Sequence, residues 1–258
     1  MDEEQKAQED QYKYPYHYIP EWRDGKVSKT HHWSWGYRYL GGLKVVFDQL
    51  EKISFESLID IGCGDGRFMR ELNYKYPNVK TLGIDYSERA IGLAQSLNPN
   101  INFKVKNVIN QSTNEKFDAA VLIEVLEHIP PNKISEFVCG VKRTLKNGGN
   151  IVLTVPHKNN RLPEKHYQHF QSEDLRKLFK FEFEVLKIIP FDTASSKLPL
   201  WQRLPRSIFR RILGGKGKHF IVTNSWLNKR FFELYKRKYL YNTKEKRCAR
   251  LCAVIEVK

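Results

Sequence analysis

The stretch AVLIEVLEHIPPNK, residues 120–133, places two carboxylates and an imidazole close together: Glu124, Glu127 and His128. The run before them, 120–123, is apolar and strand-like, and Pro130 and Pro131 follow. These residue types at this spacing suit three roles. Carboxylates and neutral imidazoles are ligands for a divalent cation. An imidazole alone serves as a general base. A carboxylate in the first turn of a helix is favoured by the helix dipole and needs no chemistry. The prolines weigh against the last role, because the next helix starts only after them and 124–128 is then a loop or a single turn. A second imidazole group follows in LPEKHYQHFQSEDL, 162–175, which holds His166 and His169.

Such groups act together only if the fold brings them to one point. Apolar periodicity predicts a helix over 43–50, a strand in SLIDIG (57–62) and a helix over 67–76. A strand in VKTLGID (79–85) follows, then a helix to 95 capped by Ser87. INFKVKN (101–107) and FDAAVLI (117–123) read as strands, followed by a helix over about 132–145. GGNIVLTVP (148–156), FEVLKIIPF (183–191) and CAVIEVK (252–258) are further strands, with a helix over 172–179 that takes Ser172 as N-cap. Strands alternating with helices predict an α/β fold with a doubly wound, mostly parallel, seven-stranded sheet. Right-handed crossovers put ligands at the carboxyl ends of the strands. The fourth and fifth strands are neighbours in that topology, so His166 or His169 can reach the cavity of Glu124, Glu127 and His128.

LIDIGCGDGRF, 58–68, runs from a strand into Gly62, Gly64 and Gly66. Glycines let the backbone turn tightly and approach a ligand closely. The spacing is G-x-G-x-G rather than the dinucleotide G-x-G-x-x-G. Asp60, just before the first glycine, would repel a pyrophosphate and suit an ammonium. Asp85, in GIDYS (83–87), ends the next strand, where a carboxylate can take both hydroxyls of a ribose.

On these motifs the sequence resembles the class I S-adenosylmethionine-dependent methyltransferases over about 43–189 and the final strand. The resemblance implies S-adenosyl-L-methionine as cofactor. Residues matching Asp60, Gly62 and Gly64 surround its methionine portion, with Cys63 and Gly66 in the same loop. Asp85 takes the ribose, with Tyr86 beside it. Asn107 and Val108 match the adenine edge, where Asp is commoner than Asn, and Ile123 lies under the sulfonium. E-x-x-E-H followed by H-x-x-x-F is similar to the ubiquinone-biosynthesis O-methyltransferases and to the small-RNA 3′-end 2′-O-methyltransferases. In the latter the matching residues hold a divalent ion, which carries over as Glu124, Glu127, His128 and His166 around Mg²⁺ or Mn²⁺. The motif also occurs in methyltransferases without a metal. His128 and His166 are then the catalytic candidates, and a His128 base implies a rate rising through an apparent pKa of around 6–7. Arg38, in WGYRYLGGL (35–43), matches in position an arginine that faces the cofactor carboxylate in the ubiquinone-type enzymes, although the spacing differs. Trp33, Trp35 and Tyr37 would cover the cofactor as a lid.

The 258 residues, 41% hydrophobic and 13% aromatic, suit a globular domain with an appendage. No apolar run approaches the roughly 18 residues of a membrane span. The acidic start MDEEQKAQEDQYK is no signal peptide, and its first dozen residues are expected to be poorly ordered. Cys63, Cys139, Cys248 and Cys252 make no CxxC or zinc pattern and read as reduced cytosolic thiols. The net charge is +15, but residues 1–130 carry 16 basic and 19 acidic residues, and 197–250 carry 16 basic and 2 acidic. Such a block points to an anionic partner. From Pro205, Ile208, Phe209, Ile212 and Leu213 share one helical face with Arg206, Arg210 and Arg211 beside it, and a second helix is expected over 226–241. That pattern suits a membrane-surface element or a substrate cap, and nucleic acid less well.

The expected organisation is a tail and aromatic lid at 1–42, a cofactor-binding domain at 43–192 and 249–258, and a basic helical insert at 193–248. The expected function is methylation of a hydroxyl on a small or lipid-linked acceptor, such as a glycan-precursor sugar or a prenylated ring. The expected location is cytoplasmic, peripheral to a membrane. RNA 2′-O-methylation and a scaffold that binds cofactor without turnover are the rival expectations.

Overall fold

The computed structural model describes residues 3, 5, 21–23, 26–28, 33–194 and 225–258. A short hairpin, β1 (Glu21–Arg23) and β2 (Lys26–Ser28), precedes helix α1 (Trp33–Leu50). The sheet region then runs β3 (Ser57–Ile61), α2 (Arg67–Lys75), β4 (Lys80–Asp85), α3 (Glu88–Leu97), β5 (Phe103–Val105) and β6 (Phe117–Ile123). It continues through α4 (Ile134–Arg143), β7 (Leu145–Pro156), α5 (Ser172–Phe179), β8 (Phe183–Thr193), α6 (Ser225–Tyr235) and β9 (Cys248–Val257). The seven-stranded sheet has the order β5-β4-β3-β6-β7-β9-β8. Every pairing from β5 to β7 is parallel, and β9 runs antiparallel between β7 and β8. The chain starts at the centre, winds outward to β5, then returns past β3 to β6 and β7. The reversal of direction lies between β3 and β6, where an open α/β sheet places its ligand.

Alternation along each strand builds two cores. Ile59, Ile61, Ala120, Leu122, Ile151 and Leu153 pack with Phe137 and Val141 of α4 and Leu175 and Phe179 of α5. Leu58, Ala119, Val121 and Val152 pack with Leu40 and Leu43 of α1, Met69 and Leu72 of α2, and Ile91 and Ala94 of α3. The strands are therefore buried on both faces, as parallel strands covered by helices must be.

Several boundaries differ from expectation. The first helix begins at Trp33, not at 43, so the aromatic segment forms its opening turns. Tyr37 is buried, its ring 5.9 Å from that of Phe232 in α6. The strand expected over 101–107 shrinks to Phe103–Val105, and β7, β8 and β9 each extend further. Ser87 does cap α3, accepting from the Ala90 N–H at 3.1 Å. Gln171, not Ser172, caps α5 in a capping box with Asp174, whose carboxylate accepts the Gln171 N–H at 2.7 Å. The helix expected from Pro205, Trp201 and, apart from residues 3 and 5, the first dozen residues lie outside the described residues. The second expected insert helix is α6, continued by a π-turn, Lys236–Leu240. Phe232 and Leu240 join the same core as α1, so this part of the insert is built into the domain. Gly41 and Gly42, inside α1, leave room for the Tyr235 ring and the Arg250 guanidinium. No described helix is long and apolar enough to cross a membrane.

Two glycines give a test of this packing. A Cβ on Gly140 in α4 would lie 2.2 Å from the Val108 carbonyl oxygen, whereas one on Gly92 in α3 would meet nothing within 4 Å. Gly140→Ala should cost about 1–3 kcal/mol through overpacking, and Gly92→Ala should gain up to about 1 kcal/mol of helix propensity. Thermal unfolding should therefore move the midpoint down for the first and up for the second. A midpoint unchanged in Gly140→Ala would contradict the close approach of α4 to the loop after β5.

Candidate functional site

The loop after β3 is shaped by its hydrogen bonds. Gly62 and Cys63 N–H groups both donate to the Ile84 carbonyl, at 2.8 and 3.0 Å, which ties the loop to the tip of β4. Gly62, Gly64 and Gly66 have φ of 80°, 53° and 77°, the left-handed region that disfavours a side chain. A Cβ at Gly62 would lie 2.6 Å from Val125 Cγ2, so this loop touches the loop that carries the acidic residues. Asp85 accepts the Gly64 N–H on Oδ2 and the Ser87 N–H on Oδ1, each at 3.0 Å. Asp60 is buried, and burial, with the Asp85 charge behind it, raises its pKa to about 8. A carboxyl so placed takes a negative charge readily only when a cation arrives. Burial also pushes the Cys63 thiol well up, so it is no nucleophile. Val108 is buried, Tyr86 is exposed and Ile123 is half-buried at the end of β6. Asn107 spends its side-chain oxygen locally, accepting the Ile109 N–H at 3.0 Å.

Beyond β6 the backbone turns sharply. Glu124 adopts φ 56°, a left-handed state rare for a side-chain-bearing residue, while its N–H still pairs with the Thr154 carbonyl at 3.0 Å. A single 3₁₀ turn, Leu126–His128, follows. Glu127 is 0% exposed, and both its carboxylate oxygens are buried without a hydrogen-bond partner. Burial, and then the neighbouring Glu124, holds its pKa well above the usual range; the charges of Lys165 and Arg250 oppose that.

The loop after β7 closes over this turn. Tyr167 N–H donates to the Glu127 carbonyl at 2.9 Å, and the Gln168 amide donates to the Ile129 carbonyl at 3.2 Å. His128 Nδ1 meets the Lys165 carbonyl at 2.9 Å. The His128 and His166 rings lie edge to face with centroids 4.7 Å apart, and His166 Nδ1 is 3.0 Å from His169 Nε2. One ligand atom each from Glu127, His128 and His166 falls within 4.8 Å of the others. The structure thus joins three of the four expected ligands. Glu124 lies outside that group, with its own Oε1 buried and unpartnered. Burial, then Lys165, lowers the His128 pKa to about 4; burial, then His128, lowers that of His166 to about 3. Both imidazoles are neutral near pH 7, as a base or a ligand must be, and the titration expected around 6–7 does not belong to His128.

Arg38 does not stand alone. Its Nε donates to Asp192 Oδ2 at 2.7 Å; Arg250 Nη2 lies 3.3 Å from the same oxygen, and Tyr235 Oη donates to Oδ1 at 2.9 Å. Asp192 also has φ 56°. The Arg250 guanidinium stacks 4.6 Å over the Phe191 ring, and its charge acts on Asp192 and on Glu124. This node and Lys165 went unnoticed in the sequence. Arg250 does carry a signal there, a charge inside an otherwise apolar strand; Asp192 and Tyr235 carry none.

Residues 32–188 match the family described as methyltransferase domain. The chain is 29% identical over 119 residues to a ubiquinone biosynthesis O-methyltransferase of Dechloromonas aromatica, covering 43% of this chain and 49% of that protein. It is 31% identical over 143 residues to a chloroplastic tocopherol O-methyltransferase of Arabidopsis thaliana, covering 52% and 40%. The match thus spans less than half the length of these curated relatives. In structure it is similar to the N-methyltransferase NodS of Bradyrhizobium japonicum, solved with S-adenosyl-L-homocysteine, with TM-score 0.55 and 15% identity over 86% of this chain and 87% of that one. That likeness is one of fold. The glycine loop, the sheet order and the family match lead to one conclusion: the chain belongs to the methyltransferase-domain family.

Proposed function

We propose that the protein is an S-adenosylmethionine-dependent O-methyltransferase whose acceptor hydroxyl is received at Glu127, His128 and His166. The observation that carries this reading is the Glu127 carboxylate, sealed from water without a partner beside two neutral imidazoles. The two curated relatives named above are O-methyltransferases, which supports a hydroxyl acceptor.

S-adenosylmethionine fits the first half of the site. Asp60, whose carboxyl holds its proton until a cation comes, would take the ammonium, and the positive-φ loop leaves space for the methionine chain. Asp85 would take the ribose, with Gly66, Cys63, Tyr86, Asn107, Val108 and Ile123 around it. Arg38 would reach the cofactor carboxylate only by sharing its charge with Asp192. When bound, the cofactor supplies an electrophilic methyl on a sulfonium. The chain's task is then to align the acceptor oxygen and remove its proton.

Two devices for that fit these residues. His128, neutral with its Nδ1 on the Lys165 carbonyl, can take the proton at Nε2. A divalent cation also fits, because Glu127 offers anionic oxygen and the two imidazoles offer nitrogen within one small space. Mg²⁺ or Mn²⁺ there would lower the pKa of an acceptor hydroxyl. Glu124 would act from the rim, through its charge. The acceptor is a small or lipid-linked molecule, and the basic segment 197–250 would hold the enzyme, cytoplasmic, at an anionic membrane face.

Release of S-adenosyl-L-homocysteine with a panel of catechols, prenylated phenols and sugars tests the chemistry. His128→Ala should lose about 10²–10⁴-fold in rate with cofactor affinity unchanged. A near-normal rate would remove His128 from the reaction. EDTA should abolish activity and Mn²⁺ restore it if the ion is used; an indifferent enzyme uses the base. In the base case burial depresses the His128 pKa, so the rate is level through neutrality and falls only as pH drops towards about 4. Asp85→Ala should weaken S-adenosylmethionine binding at least about tenfold by calorimetry, the loss of a charged hydrogen bond of roughly 1.5–3 kcal/mol. Sedimentation with anionic vesicles at low salt tests the membrane reading, and a gel shift with RNA in its place would favour RNA 2′-O-methylation.

A further inference from the structure

Glu127 is not the only side chain left unsatisfied at this end of the sheet. Where β6, β7 and β9 meet, three further atoms are buried without a hydrogen-bond partner: Glu124 Oε1, Thr154 Oγ1 and Arg250 Nε. The strand register makes their residues neighbours. Thr154 stands opposite Ile123 of β6 and Cys252 of β9. Its carbonyl accepts the Glu124 N–H at 3.0 Å, and Arg250 lies two residues from Cys252 on β9. Adjacent strands are only about 4.8 Å apart.

Alternation sets the face they share. Val152 of β7 and Cys252 of β9 belong to the core under α1, so Thr154 and Arg250, each two residues away, point to that side. There α1 forms the wall: a Cβ on Gly42 would lie 2.6 Å from Arg250 Nη1. The Glu124 charge acts on both Arg250 and Cys252, in keeping with a carboxylate on the same side. Arg250 Nη2 is engaged, donating to the Arg38 carbonyl at 2.5 Å and lying 3.3 Å from Asp192 Oδ2, which leaves the Nε–H. Thr154 is 1% exposed, while Glu124 is half-buried and so reaches the surface of the site. The three atoms thus offer one anionic acceptor, one cationic donor and one hydroxyl. An anion placed among them would meet the Glu124 charge, and an ammonium would meet that of Arg250. A hydroxyl has one proton to give and two lone pairs. It can donate to Glu124 while accepting from Arg250 Nε–H and from the Thr154 O–H.

We propose that Glu124, Thr154 and Arg250 form a subsite for a second hydroxyl of the acceptor, one that is bound and not methylated. The proposal rests on the reading of Glu127, His128 and His166 as the place of the reacting hydroxyl, a group from which Glu124 stands apart. It narrows the acceptor to a molecule with at least two hydroxyls, a sugar rather than a simple phenol. A site built to bond a hydroxyl rejects the analogue that lacks it, because its own buried groups then stay unpaired.

Crystals grown with S-adenosyl-L-homocysteine and soaked in ethylene glycol, a hydroxyl probe, read the subsite without turnover. A glycol oxygen should lie within hydrogen-bond distance of Glu124 Oε1 and Arg250 Nε, and the same soak of Thr154→Val should lose it. An ordered water alone at these atoms, or glycol bound equally in Thr154→Val, overturns the proposal. Turnover gives the second readout, with each sugar of the panel paired with analogues lacking one hydroxyl. The wild type should favour the full sugar, and Thr154→Val should reduce that kcat/KM preference about tenfold, mainly through KM. Because the Thr154 hydroxyl has no partner, the valine variant should keep or raise the thermal midpoint. A lowered midpoint with an unaltered preference marks a structural water and overturns the proposal. Glu124→Gly, in which glycine accepts the left-handed φ, should lose the same preference and serves if Thr154→Val does not fold. If no compound of the panel is turned over, the O-methyltransferase reading fails, and the glycol density still decides the subsite.

Discussion

A carboxyl group buried with neither oxygen hydrogen-bonded is the constraint around which this site is arranged. An unpaired charge in such a place costs several kcal/mol, so Glu127 must either hold a proton or meet a cation or a donor. Burial and the Glu124 charge push it towards the proton. The described groups around it relieve that condition only in part: the charges of Lys165 and Arg250 oppose it, and His128 and His166 are neutral. The same logic holds at Asp60, where burial beside Asp85 keeps a second carboxyl waiting. Two carboxyls in want of positive partners, one on each side of the reversal point of the sheet, fit a cofactor with an ammonium and an acceptor held by its hydroxyls.

The fold supplies the rigidity this needs. β6 lies between β3 and β7, buried on both faces, so the turn at Glu124 leaves a fixed base. A left-handed backbone at a residue with a side chain costs of order 1–3 kcal/mol and persists only where its surroundings enforce it. Here the Thr154 carbonyl holds the Glu124 N–H, and the Tyr167 N–H holds the Glu127 carbonyl. Asp192, equally strained, gathers Arg38, Arg250 and Tyr235, and so binds α1, β8, β9 and α6 into one wall. Arg250 joins that wall to Glu124 through its charge.

Much of this could be read in the sequence, for physical reasons. Buried strands such as 117–123 are continuous apolar runs, and the G-x-G-x-G loop needs glycine because three of its positions take positive φ. The meeting of His128 with His166 followed from neighbouring strands in the expected topology. The separation of Glu124 from Glu127 did not, because the spacing says nothing of a left-handed φ at Glu124. The start of α1 was hidden because Trp33, Trp35 and Tyr37 are indifferent helix formers, and the packing of Tyr37 against Phe232 is tertiary. Asp192, Tyr235 and Arg250 come from far-apart segments and form no motif. The Lys165 carbonyl that sets His128 is backbone, which side-chain chemistry cannot announce.

The central claim is that Glu127, His128 and His166 form the point at which the acceptor is received. Crystals grown with S-adenosyl-L-homocysteine and soaked in Mn²⁺ and a catechol would test it most directly, by anomalous diffraction and difference density. The catechol oxygens should lie at this point, directed at the cofactor sulfur, with an anomalous peak between the three side chains if the ion takes part. A catechol bound elsewhere, with the Glu127 carboxylate still facing no ligand atom, would contradict the claim.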